Sequence, residues 1–200
     1  MNNGYRKIEL YQEAIKFERL DDYREAFNLY LASAKQGYAK SQLAVAKFYL
    51  GDGIYKGIIK PDRAKAIYYL DQAGSGGNAE AKYRLALILL QNNTKADIAQ
   101  AMELLQDASD RQYLPAAYEL SKCSYYGIGC KKSYAKTLEI LEKLIYLKNA
   151  YSQIDSFDDI KKMLKELKVM ASEHKNSAGL SGDDLCLLND LCNDLNVGND

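Results

Sequence analysis

Four stretches of this 200-residue chain repeat one another, and that repetition limits the possible folds more than any other feature. DYREAFNLYLASAKQG begins at Asp22, DRAKAIYYLDQAGSGG at Asp62, DIAQAMELLQDASDRQ at Asp97 and SYAKTLEILEKLIYLK at Ser133, so the starts lie 40, 35 and 36 residues apart. The fifth residue of each copy is small: Ala26, Ala66, Ala101 and Thr137. The eighth and ninth are large: Leu29 and Tyr30, Tyr69 and Leu70, Leu104 and Leu105, Ile140 and Leu141. Positions three and four apart share a helix face, so each copy predicts a helix with one packing side. The opening Asp or Ser suits an N-cap, and Asp22 with Glu25 and Asp97 with Gln100 have the spacing of a reciprocal capping box.

A second helical stretch precedes the last three copies: AKSQLAVAKFYL from Ala39, AEAKYRLALILL from Ala79 and PAAYELSKCSYY from Pro115. Each unit is therefore a helical hairpin. Pro115 fits a first turn, where its missing N–H costs nothing. Glycine pairs at Gly51 and Gly53 and at Gly127 and Gly129 stop two of these helices, and Asn92 with Asn93 takes that place in the middle copy. Nine residues separate Gly53 from Asp62 but only four separate Gly129 from Ser133, so Ile54 to Lys60 carries a five-residue insertion expected to bulge as a loop.

Residues 5–20 predict one more amphipathic helix, with Ile8, Tyr11, Ile15 and Leu20 facing the helix from Asp22. Beyond the repeats, a helix is expected from Ser156-F-D-D159 to about His174. NSAGLSG reads as a loop and Asp183 to Leu195 as a last helix. Because a terminal repeat otherwise leaves its stacking face wet, these two read as a cap. The expected organisation is one solenoid domain over 1–200: an N-terminal hairpin at 1–37, repeats at 38–77, 78–113 and 114–149, and capping helices at 150–200.

F-Y-L-G-D-G-I from Phe48, followed by D-R-A-K-A-I-Y-Y-L-D-Q-A from Asp62, resembles the Y-x-x-G-x-G-V…D-x-x-K-A-x-x-W-Y-x-x-A pattern of SEL-1-like repeats. A-x-Y-E-L from Ala116 with S-Y-Y-G-I-G-C and S-Y-A-K-T is similar again, and the resemblance covers about residues 22–148. The chain departs from the pattern where Leu104 and Ile140 take the aromatic's place. Tyr113 and Lys148 are read as standing where the first copy has Gly37. The resemblance implies an all-α fold, an α-α superhelix in which helical hairpins stack as a right-handed solenoid related to tetratricopeptide repeats. It also implies a non-catalytic adaptor or scaffold that holds a protein or peptide in its concave groove. In such solenoids the first helix of each hairpin lines that groove. Carried onto this chain, this points to Gln42, Ala46 and Tyr49, to Glu80, Tyr83 and Leu87, and to Tyr118, Lys122, Tyr125 and Tyr126. Tyr83, Tyr118 and Tyr125 are expected to supply the central contacts. Bacterial members of the family also suggest a narrower alternative, a cognate inhibitor or immunity protein that neutralises a secreted toxin or effector.

Composition excludes other classes. Lys plus Arg and Asp plus Glu both number 27, so no global field draws the chain onto nucleic acid or an acidic membrane. The N-terminal residues lack the apolar run of a secretory signal, and the longest uncharged apolar stretch, Leu85 to Leu90, is far below the ~20 residues that span a bilayer. A cytoplasmic location is the expectation. Cys123, Cys130, Cys186 and Cys192 have gaps of seven and six, which match no usual zinc spacing, and no metal or cofactor is expected. Cys186 and Cys192, roughly 9 Å apart along one helix, are too distant for a disulfide and read as small buried hydrophobes. The lone His174 reads as a charge against a helix C-terminus, and Gly74-S-G-G77 as a turn because no strand precedes it. No convergent nucleophile, acid or base suggests an enzyme.

Overall fold

The computed structural model describes residues 3–147, 158–173 and 179–197, and the chain divides into two compact units, Met1–Asn92 and Asn93–Asp200. His174 lies outside the described residues, as do Lys148 and the expected helix start at Ser156. The described residues form ten α-helices, one short 3-10 turn and no strand.

The first unit holds α1 (Asn3–Arg19), α2 (Tyr23–Ala34), α3 (Ala39–Leu50), α4 (Arg63–Ser75) and α5 (Ala79–Asn92), with consecutive helices packed together. The small positions Ala26 and Ala66 are fully buried, and the large ones Tyr30 and Leu70 nearly so, which lets the helices of each hairpin approach closely. Asp22 and Asp62 cap α2 and α4, their Oδ1 atoms accepting the N–H of Glu25 at 3.2 Å and of Lys65 at 3.0 Å. The reciprocal half of the Asp22 box is replaced: the Glu25 carboxylate accepts from Asn28 Nδ2 at 3.3 Å instead. On α1 the packing stripe is Tyr11, Ala14 and Ile15. Leu20 is 75% exposed because the helix ends at Arg19 and Asp21 turns the chain with φ +58°.

The insertion is more than a bulge. Gly53–Tyr55 forms the 3-10 turn, which brings the Tyr55 ring 4.2 Å from that of Phe48 and its hydroxyl onto the Glu18 carboxylate of α1. Glu18 also accepts from the Tyr30 hydroxyl at 2.6 Å, so one carboxylate pins the insertion and α2 to α1.

The second unit holds α6 (Lys95–Asp110), α7 (Leu114–Tyr126), α8 (Tyr134–Leu147), α9 (Asp158–Glu173) and α10 (Gly182–Asp194). Ala101 and Thr137 are again fully buried beneath Leu105 and Leu141. α6 starts earlier than expected: Thr94, not Asp97, is the N-cap, accepting the Asp97 N–H at 3.1 Å. Thr94 is as good a cap, and it places Asp97 in the first turn, where its charge favours the helix N-terminus. A full capping box occurs at α10, between Ser181 and Asp184, which the sequence reading did not single out. α10 packs on α8 and α9, burying Ile160, Leu164, Leu167, Leu188, Leu191 and Cys192 in a core shared with Leu138, Leu141 and Leu144. Cys186 is exposed, contrary to expectation, because it lies on the opposite side of α10 from this core.

The inter-helix turns need left-handed backbone, and Gly37 and Gly77 supply it at φ +77° and +86°. In the third copy Gln112, not Tyr113, holds that position at φ +62°. Gly51 and Gly127 end α3 and α7 in the same conformation, and Asn93 takes it after α5.

Candidate functional site

The ten residues expected to line a groove fall into both units, and their surroundings differ. On α3, Gln42 and Ala46 are buried, so neither presents a contact surface. α3 packs against both α2 and α4, and two flanks leave little of its circumference bare. The Gln42 amide donates to Ala34 O at 3.4 Å, serving the end of α2. Tyr49 is half-buried in the seam with the second helices: it stacks on Tyr69 with ring centroids 6.1 Å apart and meets Phe27 edge-on at 5.7 Å.

Glu80 belongs to an ion cluster between α3 and α5, its Oε1 lying 2.7 Å from Lys47 Nζ and 2.9 Å from Arg84 Nε. Arg84 reaches on to Asp52 Oδ2 at 2.5 Å. Partial burial opposes ionisation of Glu80, but Lys47 and Arg84 outweigh it and hold the carboxyl below the usual range. Tyr83 and Leu87 are half-buried on the same helix.

In the second unit, two of the four expected residues, Tyr125 and Tyr126, line a cleft. Tyr118 is half-buried, with Lys122 Nζ 5.0 Å from its ring centroid, while Lys122 also pairs with Glu119 Oε1 at 2.5 Å. Burial raises the Tyr118 phenol well above the ordinary range, with a further push from the Asp159 carboxylate of α9. Tyr125 is a core residue, only 5% exposed, which corrects its expected role as a central contact. Tyr126, beside it, is 59% exposed.

Tyr125 and Tyr126 line a cleft of about 610 Å³. Tyr134 and Lys132 enter from the start of α8 and the loop before it. From α9 come Lys162, Lys165, Glu166, Val169 and Met170. Residues 162, 165, 166 and 169 follow helical spacing on one side of α9, opposite the buried Ile160, Leu164 and Leu167. Lys132 Nζ sits 4.8 Å from the Tyr134 centroid and 5.9 Å from that of Tyr125. Sequence reasoning missed the α9 contribution, because it treated that helix only as a cap. The signal was present in the polar stripe of α9, which keeps a Val at its end.

Burial pushes the Cys123 thiol up to about 11 and raises that of Cys192, so neither supplies a thiolate near neutrality. Among the described residues no group of three His, Cys, Asp or Glu side chains is placed to hold a metal ion, and no helix is long and apolar enough to cross a membrane.

The sequence matches the family described as Sel1 repeat over residues 9–38, 39–78, 79–113 and 114–149, which takes α1 into the repeat array. Among solved structures, a protective antigen present in uropathogenic Escherichia coli strains, displaying an SLR fold, aligns with a TM-score of 0.64 at 16% identity, over 96% of this chain and 46% of that one. A Sel1 repeat protein from Oxalobacter formigenes aligns with a TM-score of 0.62 at 20% identity, over 70% of this chain and 41% of that one. The chain thus spans less than half the length of either, and at these identities the likeness shows the fold alone: all-α hairpins of the SLR type. Among curated proteins none matches the sequence.

Proposed function

Since the chain belongs to the Sel1 repeat family, we propose that it is a non-catalytic adaptor or scaffold of the cytoplasm that holds a protein or peptide partner in the cleft between α7 and α9. Sel1 repeats are in general protein-interaction modules, and the repeats cover residues 9–149. The observation that carries the choice of surface is the exposed pair Tyr126 and Val169, at 59% and 47%, on opposite walls of an aromatic cleft. Tyrosine offers large amphipathic area with few rotatable bonds, which suits it to an interface anchor. Of the groove residues expected on the first helices, Tyr125 and Tyr126 of α7 line this cleft, whereas Gln42 and Ala46 are covered.

The test is affinity capture from extracts of the parent cell with the wild-type chain and with a Tyr126→Ala/Val169→Ser variant, both checked for helicity and melting. A protein that binds the first and not the second supports the proposal. A partner held equally by both moves the site elsewhere, and no partner for either removes the reading. If the captured protein is a secreted effector whose activity the chain suppresses, the adaptor becomes an inhibitor acting through the same surface.

A further inference from the structure

We infer that the α7–α9 cleft is built for an acidic peptide segment carrying a large apolar side chain; the inference rests on the interaction-module reading above and adds the chemistry of the partner. The chain as a whole has equal numbers of basic and acidic side chains. The cleft does not share that balance: Lys132, Lys162 and Lys165 line it against the single carboxylate of Glu166. That carboxylate is already engaged, since Glu166 Oε2 accepts the Tyr125 hydroxyl at 2.6 Å. Among the described residues no carboxylate lies within ion-pair distance of the three lysines. In the same unit, by contrast, Lys122 and Lys143 are paired with Glu119 and Glu139.

Between the lysines the walls are apolar and aromatic, and a volume of about 610 Å³ lies within the range of roughly 300–1,000 Å³ found for binding pockets. An apolar side chain entering from the partner would be desolvated against Val169, Met170 and the tyrosine rings, which is where binding energy concentrates. Carboxylates on either side of it would meet exposed ammonium groups, which set register and speed association. Lys132 is held over Tyr134, so part of its ordering cost is met before the partner arrives.

Nucleic acid fits less well. The three lysines surround one cleft and form no continuous basic track.

The experiment is selection of short random peptides by display against the intact chain, followed by affinity measurement on the wild type, on Lys162→Glu/Lys165→Glu and on the milder Lys162→Gln/Lys165→Gln. Helicity is verified for each. The expected result is enrichment of peptides with Phe, Leu, Met or Tyr next to Asp or Glu, and binding that falls with salt. Affinity should drop by roughly tenfold or more on charge reversal, and by less in the Gln variant. Enriched peptides that are neutral or basic, or that bind the charge-reversed chain equally well, overturn the inference. So does a single-stranded oligonucleotide that binds tighter than the selected peptides and needs the same lysines. The two readings fail separately. A cellular partner lost on Tyr126→Ala/Val169→Ser but indifferent to charge reversal leaves the module standing and removes the acidic-peptide chemistry. Absence of any partner or peptide removes both.

Discussion

The Tyr125 phenol donates to Glu166 Oε2 at 2.6 Å and thereby ties α7 to α9 beneath the cleft. Burial, and then the Glu166 carboxylate, raise this phenol above its ordinary range, so it remains a donor at neutral pH. Tyr125→Phe keeps the ring and loses the hydrogen bond to a carboxylate, at about 1.5–3 kcal/mol of stability. Tyr125→Ala empties a buried site and should cost about 3–5 kcal/mol. Urea denaturation of the two variants separates these contributions, and equal small losses would show that Tyr125 is not a core side chain.

The close approach of helices at the small repeat position is tested on α4 with one substitution at two neighbouring sites. Ala66 is fully buried and Ala64 exposed. Ala66→Leu should lose about 1–3 kcal/mol by overpacking, and Ala64→Leu almost nothing. Matching melting temperatures for the two would contradict the packing described.

Two glycines separate backbone strain from steric crowding. Gly53 and Gly129 both have positive φ, at +52° and +68°. A Cβ on Gly53 meets nothing within 4 Å, while one on Gly129 lies 2.6 Å from Ile98 Cγ2 and 2.9 Å from Met102 Cγ. Gly53→Ala is expected to cost about 1–2 kcal/mol from the left-handed backbone alone. Gly129→Ala should cost more, since α6 must shift to admit the methyl group. Thermal melts of both decide it, with the reverse order contradicting the fit of the loop against α6.

Alkaline pH should loosen the first unit. Tyr30 and Tyr55 are raised far above the ordinary value of 10.0, first by burial and then by the Glu18 carboxylate that both donate to. In the unfolded chain these phenols ionise near their ordinary value, whereas the folded chain keeps them protonated. Their contribution is therefore complete below about pH 10 and is lost as pH rises above it. Tyrosinate absorbance measured alongside helicity should show late, cooperative ionisation that coincides with unfolding, and Tyr30→Phe/Tyr55→Phe should weaken that dependence. Early, independent titration of all the tyrosines would contradict the Glu18 cluster.

The hairpin array was legible because its signals are local: a small residue at Ala26, Ala66, Ala101 and Thr137, a cap before it and a left-handed residue at each turn. Errors arose where two residues offer the same local chemistry. Thr94 and Asp97 are both good caps, and the helix takes the earlier one. The misplacement of the turn at Tyr113 instead of Gln112 came from seeking a glycine replacement one residue late. The site was harder to read, because exposure depends on how many neighbours a helix acquires. Spacing alone marks Gln42, Ala46 and Tyr125 as off-stripe, yet α2 engages Gln42, Ala46 is fully buried on a helix packed between α2 and α4, and α9 engages Tyr125. The basic wall comes from α9, far along the chain from Tyr125, and no repeat pattern links the two.

Site-specific photo-crosslinking checks whether the α7–α9 cleft is where this chain holds a protein partner. A photoreactive side chain replaces Val169 in the cleft wall or, as a control, the 58% exposed Tyr68 on α4. One discrete protein adduct is expected from position 169, suppressed by an excess of a cleft-selected peptide, and none from position 68. An adduct from position 68 with none from position 169 would contradict this placement of the partner.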